Sequence, residues 1–253
     1  MINLKSEEEV SRMRAACVAA ARVLRDLSAL VVPGVSTAAL DSAARGLMLR
    51  HGCESACYGY VVGGLTYPGH ICVSVNDEVV HGIGAPQRII QEGDLVSLDV
   101  VVRRDGYIGD NACTIAVGKV DPEAKALCMA AEKALHAGIA AVRPGNRVGD
   151  ISAAVQGILA PLGYGIVRDF VGHGVGKKMH EEPQIPNFGK AGTGSKLLPG
   201  MCLAIEPMVN LGTHKIVMGA DGWTARTADG KVSAHFEHTI LVTETGAEIL
   251  TLP

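Results

Sequence analysis

Residues 96–110, Val-Ser-Leu-Asp-Val-Val-Val-Arg-Arg-Asp-Gly-Tyr-Ile-Gly-Asp, constrain this chain more than any other stretch. An apolar run from Leu95 to Val102 meets Asp105-Gly106, and a second extended run leaves through Ile108. Asp-Gly is a strong two-residue hairpin signal, because both turn positions take a positive φ. The turn sets the register, so Arg104 faces Tyr107 and Val101 faces Asp110. Asp99 lies two residues from Val101 and therefore shares a face with Asp110. The two carboxylates become diagonal neighbours, within roughly 8 Å at Cβ. Like charges that close in so apolar a sheet repel unless a cation lies between them, and a metal ion is the economical choice. Read alone, the pair is equally well explained by Asp110 as a turn residue and Asp99 as a strand-end residue.

A chain of 253 residues makes one large domain or two small ones. With 48% hydrophobic and 19% charged residues it has a sizeable core and no disorder signature. A net charge of −3 without a long Lys/Arg run argues against a nucleic-acid partner. No apolar stretch reaches the roughly 18 residues of a membrane span. The N-terminal segment is acidic at Glu7-Glu8-Glu9 and lacks the apolar core of a signal peptide. The seven cysteines are scattered without a Cys-x-x-Cys. They point to a reducing cytoplasm, not to a disulfide frame or a zinc knuckle.

Ser6 with Glu9 forms a capping box, and the apolar spacing predicts a helix from there to about Leu30. Its inward face is Val10, Met13, Cys17, Ala20, Leu24 and Leu27. Pro33-Gly34 stops it, and Thr37 is the expected cap of a second helix reaching Arg50. A Gly/Tyr-rich loop (57–69), a strand (71–75), a turn and a short run at 79–82 lead into the hairpin. Asp121-Pro122-Glu123 opens a third helix to about Val142, stopped by Pro144-Gly145. A fourth covers about 149–162, and strands are expected at 165–172, 201–209, 223–226 and 234–243. The order helix, Pro-Gly, helix, strands thus occurs twice, which predicts an α+β unit duplicated about a two-fold axis. No linker splits the chain, so one catalytic domain with halves of about 1–120 and 121–253 is expected. A ligand site between the halves suits that arrangement.

Three further stretches place acids or histidines inside apolar runs. They are Phe170-Val171-Gly172-His173-Gly174-Val175-Gly176, Cys202-Leu203-Ala204-Ile205-Glu206-Pro207-Met208-Val209 and Ala234-His235-Phe236-Glu237-His238-Thr239-Ile240. Flanking glycines let other groups approach the His173 ring. Glu206 and Glu237 are costly to bury unpaired. Each stretch alone is more simply a structural ion pair or a satisfied core histidine. Together with Asp99 and Asp110 they make four carboxylates and one imidazole, all expected on strands. That oxygen-rich set with one nitrogen suits a pair of divalent ions such as Mn2+, Fe2+, Co2+ or Zn2+.

Asp99, Asp110, His173, Glu206 and Glu237, in this order and these contexts, resemble the ligand set of the type I methionine aminopeptidases, dimetal enzymes of the pita-bread fold. The supporting runs are Gly172-His173-Gly174-Val175-Gly176, His180-Glu181-Glu182-Pro183-Gln184, Ile205-Glu206-Pro207-Met208-Val209-Asn210, Asp221-Gly222-Trp223-Thr224 and Glu237-His238-Thr239-Ile240. The resemblance runs from about Ser6 to Leu252. It leaves no room for the insertion of type II enzymes after His173, and no extra N-terminal domain is expected.

The resemblance implies removal of the N-terminal methionine from nascent polypeptides, preferentially before a small residue, by a hydroxide held between two divalent metals (Co, Mn, Fe or Zn). Asp99 would chelate one ion, His173 with Glu206 the other, and Asp110 and Glu237 would bridge. Glu206 would also carry the proton from the water to the leaving amine. His180 would bond the scissile carbonyl oxygen and His81 would lie by the leaving nitrogen. Cys57, Tyr60, Tyr67, Cys72, His81, Met179 and Trp223 would line the methionine pocket, where sulfur and aromatic faces suit a thioether. A cytoplasmic monomer working near the ribosome, without nucleic-acid or membrane contact, is implied.

Three positions depart from the family pattern. Residues 61–66 (Val-Val-Gly-Gly-Leu-Thr) lengthen the loop between Tyr60 and Tyr67, which is expected either to fold over the pocket mouth as a partial lid or to be a surface insertion that touches nothing. Val101 replaces a common threonine near Asp99, and Met179 replaces an aromatic residue. Competing readings are a related peptidase cleaving beside proline and a non-catalytic pita-bread module that binds peptides.

Overall fold

The structure is a computed structural model that describes residues 2–253. Helix α1 (Glu7–Ser28) begins at the expected capping box and buries the expected face. Helix α2 (Thr37–Arg50) is capped one residue earlier than expected: Ser36 accepts from the Ala39 amide at 3.2 Å. Thr37 is the first helical residue and its hydroxyl instead accepts from the Ala85 amide at 2.9 Å. Helix α3 (Pro122–Ala140) starts at an Asp121 cap. Helix α4 (Val148–Leu159) ends short of Leu162, because Pro161 cannot donate into a continuing helix and the chain tightens into a 3-10 turn over Ala160–Leu162.

The hairpin is as read. Leu95–Arg104 pairs with Tyr107–Ala116 across Asp105-Gly106, with φ of 49° and 80° at the turn and Val101 opposite Asp110. It forms the middle of a nine-stranded sheet whose pairings are all antiparallel. Glu237–Val242 continues the sheet from Tyr107–Ala116, followed by Cys202–Ile205, Gly172–Gly174 and Glu181–Ile185. Helices α1 and α2 cover the sheet's first half with Leu24, Leu27, Leu40 and Met48 against Val96, Leu98 and Val100. Helices α3 and α4 cover the second with Leu135, Ile139 and Ile151 against Leu203, Ile205 and Ile240. The helix-helix-strand unit therefore repeats, and the helices share one face of the sheet. Helix α1 lies directly on the hairpin at Gly109, where a Cβ would come within 2.4 Å of the Ala16 carbonyl oxygen.

The later strands are shorter than expected. The run 201–209 splits into Cys202–Ile205 and Met208–Asn210, because Pro207 has no N–H for the ladder. The run 234–243 splits at Phe236 into Ser233–His235 and Glu237–Val242. The two breaks face each other, with the Phe236 amide donating to Pro207 at 3.4 Å. Beyond them Met208 pairs with His235 in a separate three-stranded sheet with Gly165–Ile166. The strand expected at 165–172 is thus two, Gly165–Ile166 and Gly172–Gly174. Trp223 is not in a strand; it lies in a turn whose amides bond Asp221, ahead of Ala225–Thr227. The loop between Tyr60 and Tyr67 contains a small hairpin, Val61–Val62 against Leu65–Thr66.

Candidate metal centre and its cavity

Sheet register brings Asp99, Asp110, His173 and Glu237 together on the face away from the helices. Cys72 lies opposite Asp99, Asp99 opposite Ala112, and Ala112 opposite Glu237. Two residues along, a second row runs through Val101 and Asp110, then Thr239, Ala204 and His173. The Thr239 hydroxyl ties the row by donating to the Asp110 carbonyl at 2.8 Å. Glu206 follows Ala204 by two residues and sits at the Pro207 break, so it is not itself on a strand. Small residues, Ala112 and Ala204, separate the acidic ones and leave room between them.

The glycines around His173 serve a different purpose from the expected one. A Cβ at Gly172 would lie 2.4 Å from the Ala204 carbonyl oxygen, and one at Gly174 would lie 2.3 Å from that of Glu182. They let the neighbouring strands approach the backbone, and so set how far His173 stands from Glu206. His173 Nε2 is 3.3 Å from Glu206 Oε1 and 3.9 Å from Asp110 Oδ2. One ligand-type atom from each of Asp110, His173 and Glu237 falls within 4.8 Å of the others.

A cation fits this set. Asp99 Oδ1 and Glu237 Oε1 are buried without a hydrogen-bond partner. Burial pushes the Asp99 carboxyl up to about 7. Burial, then the Asp99 charge, raises Asp110. Burial followed by Asp110 raises both Glu206 and Glu237. Four acids held this way are stabilised as carboxylates by bound positive charge. Burial lowers His173 to about 4, which leaves the neutral imidazole a metal needs. Its Nδ1 lies 2.9 Å from the Gly174 carbonyl, so Nε2 is the nitrogen free to bind.

The acids form the floor of a cavity of about 650 Å³. Its wall brings together every residue that the resemblance assigned to the pocket: Cys57, Tyr60, Tyr67, Cys72, His81, Met179 and Trp223, with His180. Tyr67 and Trp223 meet edge to face at 5.2 Å, and the Tyr67 hydroxyl donates to the Gly82 carbonyl at 2.8 Å. His81 takes φ 61° and sets its ring edge-on to Phe170 at 5.0 Å. Burial, then His180, lowers His81 to about 4. His180 lies at the mouth, its ring 4.5 Å from that of His173, with Tyr60 Oη 2.9 Å from its Nδ1. Burial lowers His180 as well. Val101 lines the floor as a methyl surface beside Asp110 and offers no hydroxyl.

His235 and Phe170 also line the wall and carry no sequence assignment. His235 is buried, with Nε2 unpartnered and 3.8 Å from Glu206 Oε2. Its signal in the sequence was a histidine two residues before Glu237 in an apolar run. Phe170, which braces His81, had none beyond its place in the His173 stretch.

Residues 11–244 match the pattern of metallopeptidase family M24. The chain belongs to that family. It is 48% identical to methionine aminopeptidase A of Synechocystis over 99% of this chain and 98% of that one. The crystal structure of methionine aminopeptidase from Thermotoga maritima superposes with a TM-score of 0.96 at 44% identity, covering all of both chains. The prolidase of Pyrococcus furiosus shares the fold alone, with a TM-score of 0.79 at 23% identity, over 99% of this chain and 65% of that one. The α+β pita-bread fold and the metallopeptidase assignment both stand. No helix among the described residues is long and apolar enough to cross a membrane.

Proposed function

We infer that this M24 metallopeptidase is a methionyl aminopeptidase that removes N-terminal methionine from polypeptides, preferentially before a small residue, using two divalent ions per chain. The observation that carries the assignment of roles is the pair of unpartnered buried oxygens, Asp99 Oδ1 and Glu237 Oε1, on the floor of a cavity walled by thiols and aromatic rings. Asp99, Asp110, His173, Glu206 and Glu237 would hold the ions. When bound, the ions lower the pKa of a water and offset negative charge developing on the carbonyl oxygen. The halves 1–120 and 121–253 act as one catalytic domain, the first supplying Asp99 and Asp110, the second His173, Glu206 and Glu237.

The remaining steps belong to side chains. Glu206 takes a proton at a carboxylate oxygen from the attacking water and passes it towards the leaving nitrogen. In the tautomer that accepts the Tyr60 Oη proton at Nδ1, 2.9 Å away, His180 carries its own proton on Nε2 for the scissile carbonyl oxygen. His81 stays neutral at neutral pH and faces the leaving nitrogen, its ring fixed by Phe170. Cys57, Cys72, Tyr67, Met179 and Trp223 enclose the methionine side chain, where a thioether gains from aromatic and sulfur contact. The described cysteines are all free, as suits a monomer working on nascent chains in a reducing cytoplasm, near the ribosome.

The test is hydrolysis of Met-Ala-Ser against Xaa-Pro peptides with Mn2+, Fe2+, Co2+ or Zn2+ supplied in turn. Release of methionine with at least one metal, and no cleavage of the Xaa-Pro bond, is expected. Metal-loaded protein that cleaves neither peptide overturns the reading in favour of a binding module. Preference for the Xaa-Pro peptide overturns it in favour of a prolidase-like enzyme.

A further inference from the structure

The rim of the cavity is apolar where it is most exposed. The hairpin Val61–Val62/Leu65–Thr66 closes on Gly63-Gly64, with φ of 57° and 84°, the positive values that a tight two-residue turn requires. Val62 and Leu65 face the cavity yet remain 52% and 47% exposed. Met218, on the strand Ile216–Met218, faces the same cavity and is 49% exposed. Leu65 also anchors the hairpin, because its Cδ1 lies 2.6 Å from where a Cβ on Gly222 would stand. The hairpin therefore rests against the turn that carries Trp223.

Exposure gives the cavity a direction. Tyr67 and Cys72 are buried, as are Asp110 and Glu237 below them. A peptide held by its first residue at that depth leaves past the exposed part of the lining, which Val62, Leu65 and Met218 share with His180. The rim side chains are too exposed to enclose a methionine side chain, and three large apolar groups left in water at a cavity mouth call for an occupant. The chain leaving the cavity is the occupant continuous with the site already described.

We propose that Val62, Leu65 and Met218 form an apolar docking rim for the second and third residues after the scissile bond, selecting substrates with apolar side chains there. This rests on the methionyl aminopeptidase reading. The length of the 61–66 segment makes the rim, so the selection is a property of this chain's own loop.

The experiment compares kcat/KM for Met-Ala, Met-Ala-Ser-Ser and Met-Ala-Leu-Leu, using the metal-loaded wild type, V62S/L65S and, separately, M218S. Both variants are at exposed positions and keep the Gly63-Gly64 turn; near-UV circular dichroism confirms the fold. The wild type is expected to prefer Met-Ala-Leu-Leu over Met-Ala-Ser-Ser by at least fivefold. V62S/L65S should bring that ratio to about one, and M218S should lower it, with Met-Ala changed less than twofold. Equal wild-type rates on the two tetrapeptides overturn the proposal. So does a loss on Met-Ala as large as on the tetrapeptides, which makes the hairpin a lid on methionine instead. A change of oligomeric state in V62S/L65S overturns it in favour of a contact between copies. Wild-type protein that cleaves none of the three peptides fails the peptidase reading itself, and the proposal with it.

Discussion

Gly172→Ala tests whether the backbone approach at His173 sets the geometry of the metal centre. A Cβ at 172 would lie 2.4 Å from the Ala204 carbonyl oxygen and 3.3 Å from Ile185 Cβ, so the strands must part by about 1 Å to reach ordinary contact. Ala204 pairs with His173 and precedes Glu206 by two residues. Relief therefore moves His173 away from Glu206, now 3.3 Å from it. Overpacking of this kind costs about 1–3 kcal/mol. In a chain of this size that lowers Tm by roughly 3–10 °C. A displacement of about 1 Å at a reacting centre lowers kcat on the order of 10²-fold. Differential scanning calorimetry with and without Mn2+ and turnover of Met-Ala-Ser read the two effects. Gly157→Ala is the control, since a Cβ there meets nothing within 4 Å inside α4, and it should raise Tm slightly. Wild-type Tm and kcat in Gly172→Ala would refute the reasoning, because the strands would then be shown to have slack.

Asp110→Asn removes a buried charge from the middle of the acidic set and should abolish most activity while the far-UV spectrum is kept; wild-type turnover with metal in excess would reject the assignment. His81→Ala and His180→Ala should each lower kcat by roughly 10²-fold with metal content by atomic absorption unchanged, and loss of metal in either would make that histidine a ligand. Stripping the metal should leave a protein whose stability falls as pH rises from about 4 through about 7, followed by urea melts at each pH. The sign follows from Asp99: burial raises its folded pKa to about 7, so above its ordinary range the unfolded chain ionises freely while the folded one resists. The loss is on the order of a few kcal/mol for one such group, and added divalent metal should reverse it above pH 7.

What could be read from the sequence was what local pairing dictates. Asp105-Gly106 fixed the hairpin register, and the register placed Asp99 and Asp110 diagonally without any knowledge of the other strands. Capping residues gave the helix starts to within one position, the miss being Ser36 against Thr37 as neighbouring hydroxyls competing for one cap. What stayed hidden was non-local. Pro207 announces a break in its own strand, but nothing in the residues around Phe236 announces the matching one. That break exists because the strand opposite Pro207 loses its ladder partner there and turns with it into the second sheet. His235 becomes part of the site for the same reason, since the bend carries it round to face Glu206. The role of Gly172 and Gly174 was likewise invisible, because a glycine pattern signals close approach but not by what. The four acids and one imidazole could be assigned the roles of one ligand set only by resemblance. Their physical logic, two rows two residues apart with Ala112 and Ala204 as spacers, appears once the two halves of the chain share one sheet. A site built between repeated halves puts its register in the pairing of Tyr107–Ala116 with Glu237–Val242, strands more than a hundred residues apart in the chain. No periodicity within either half contains that information.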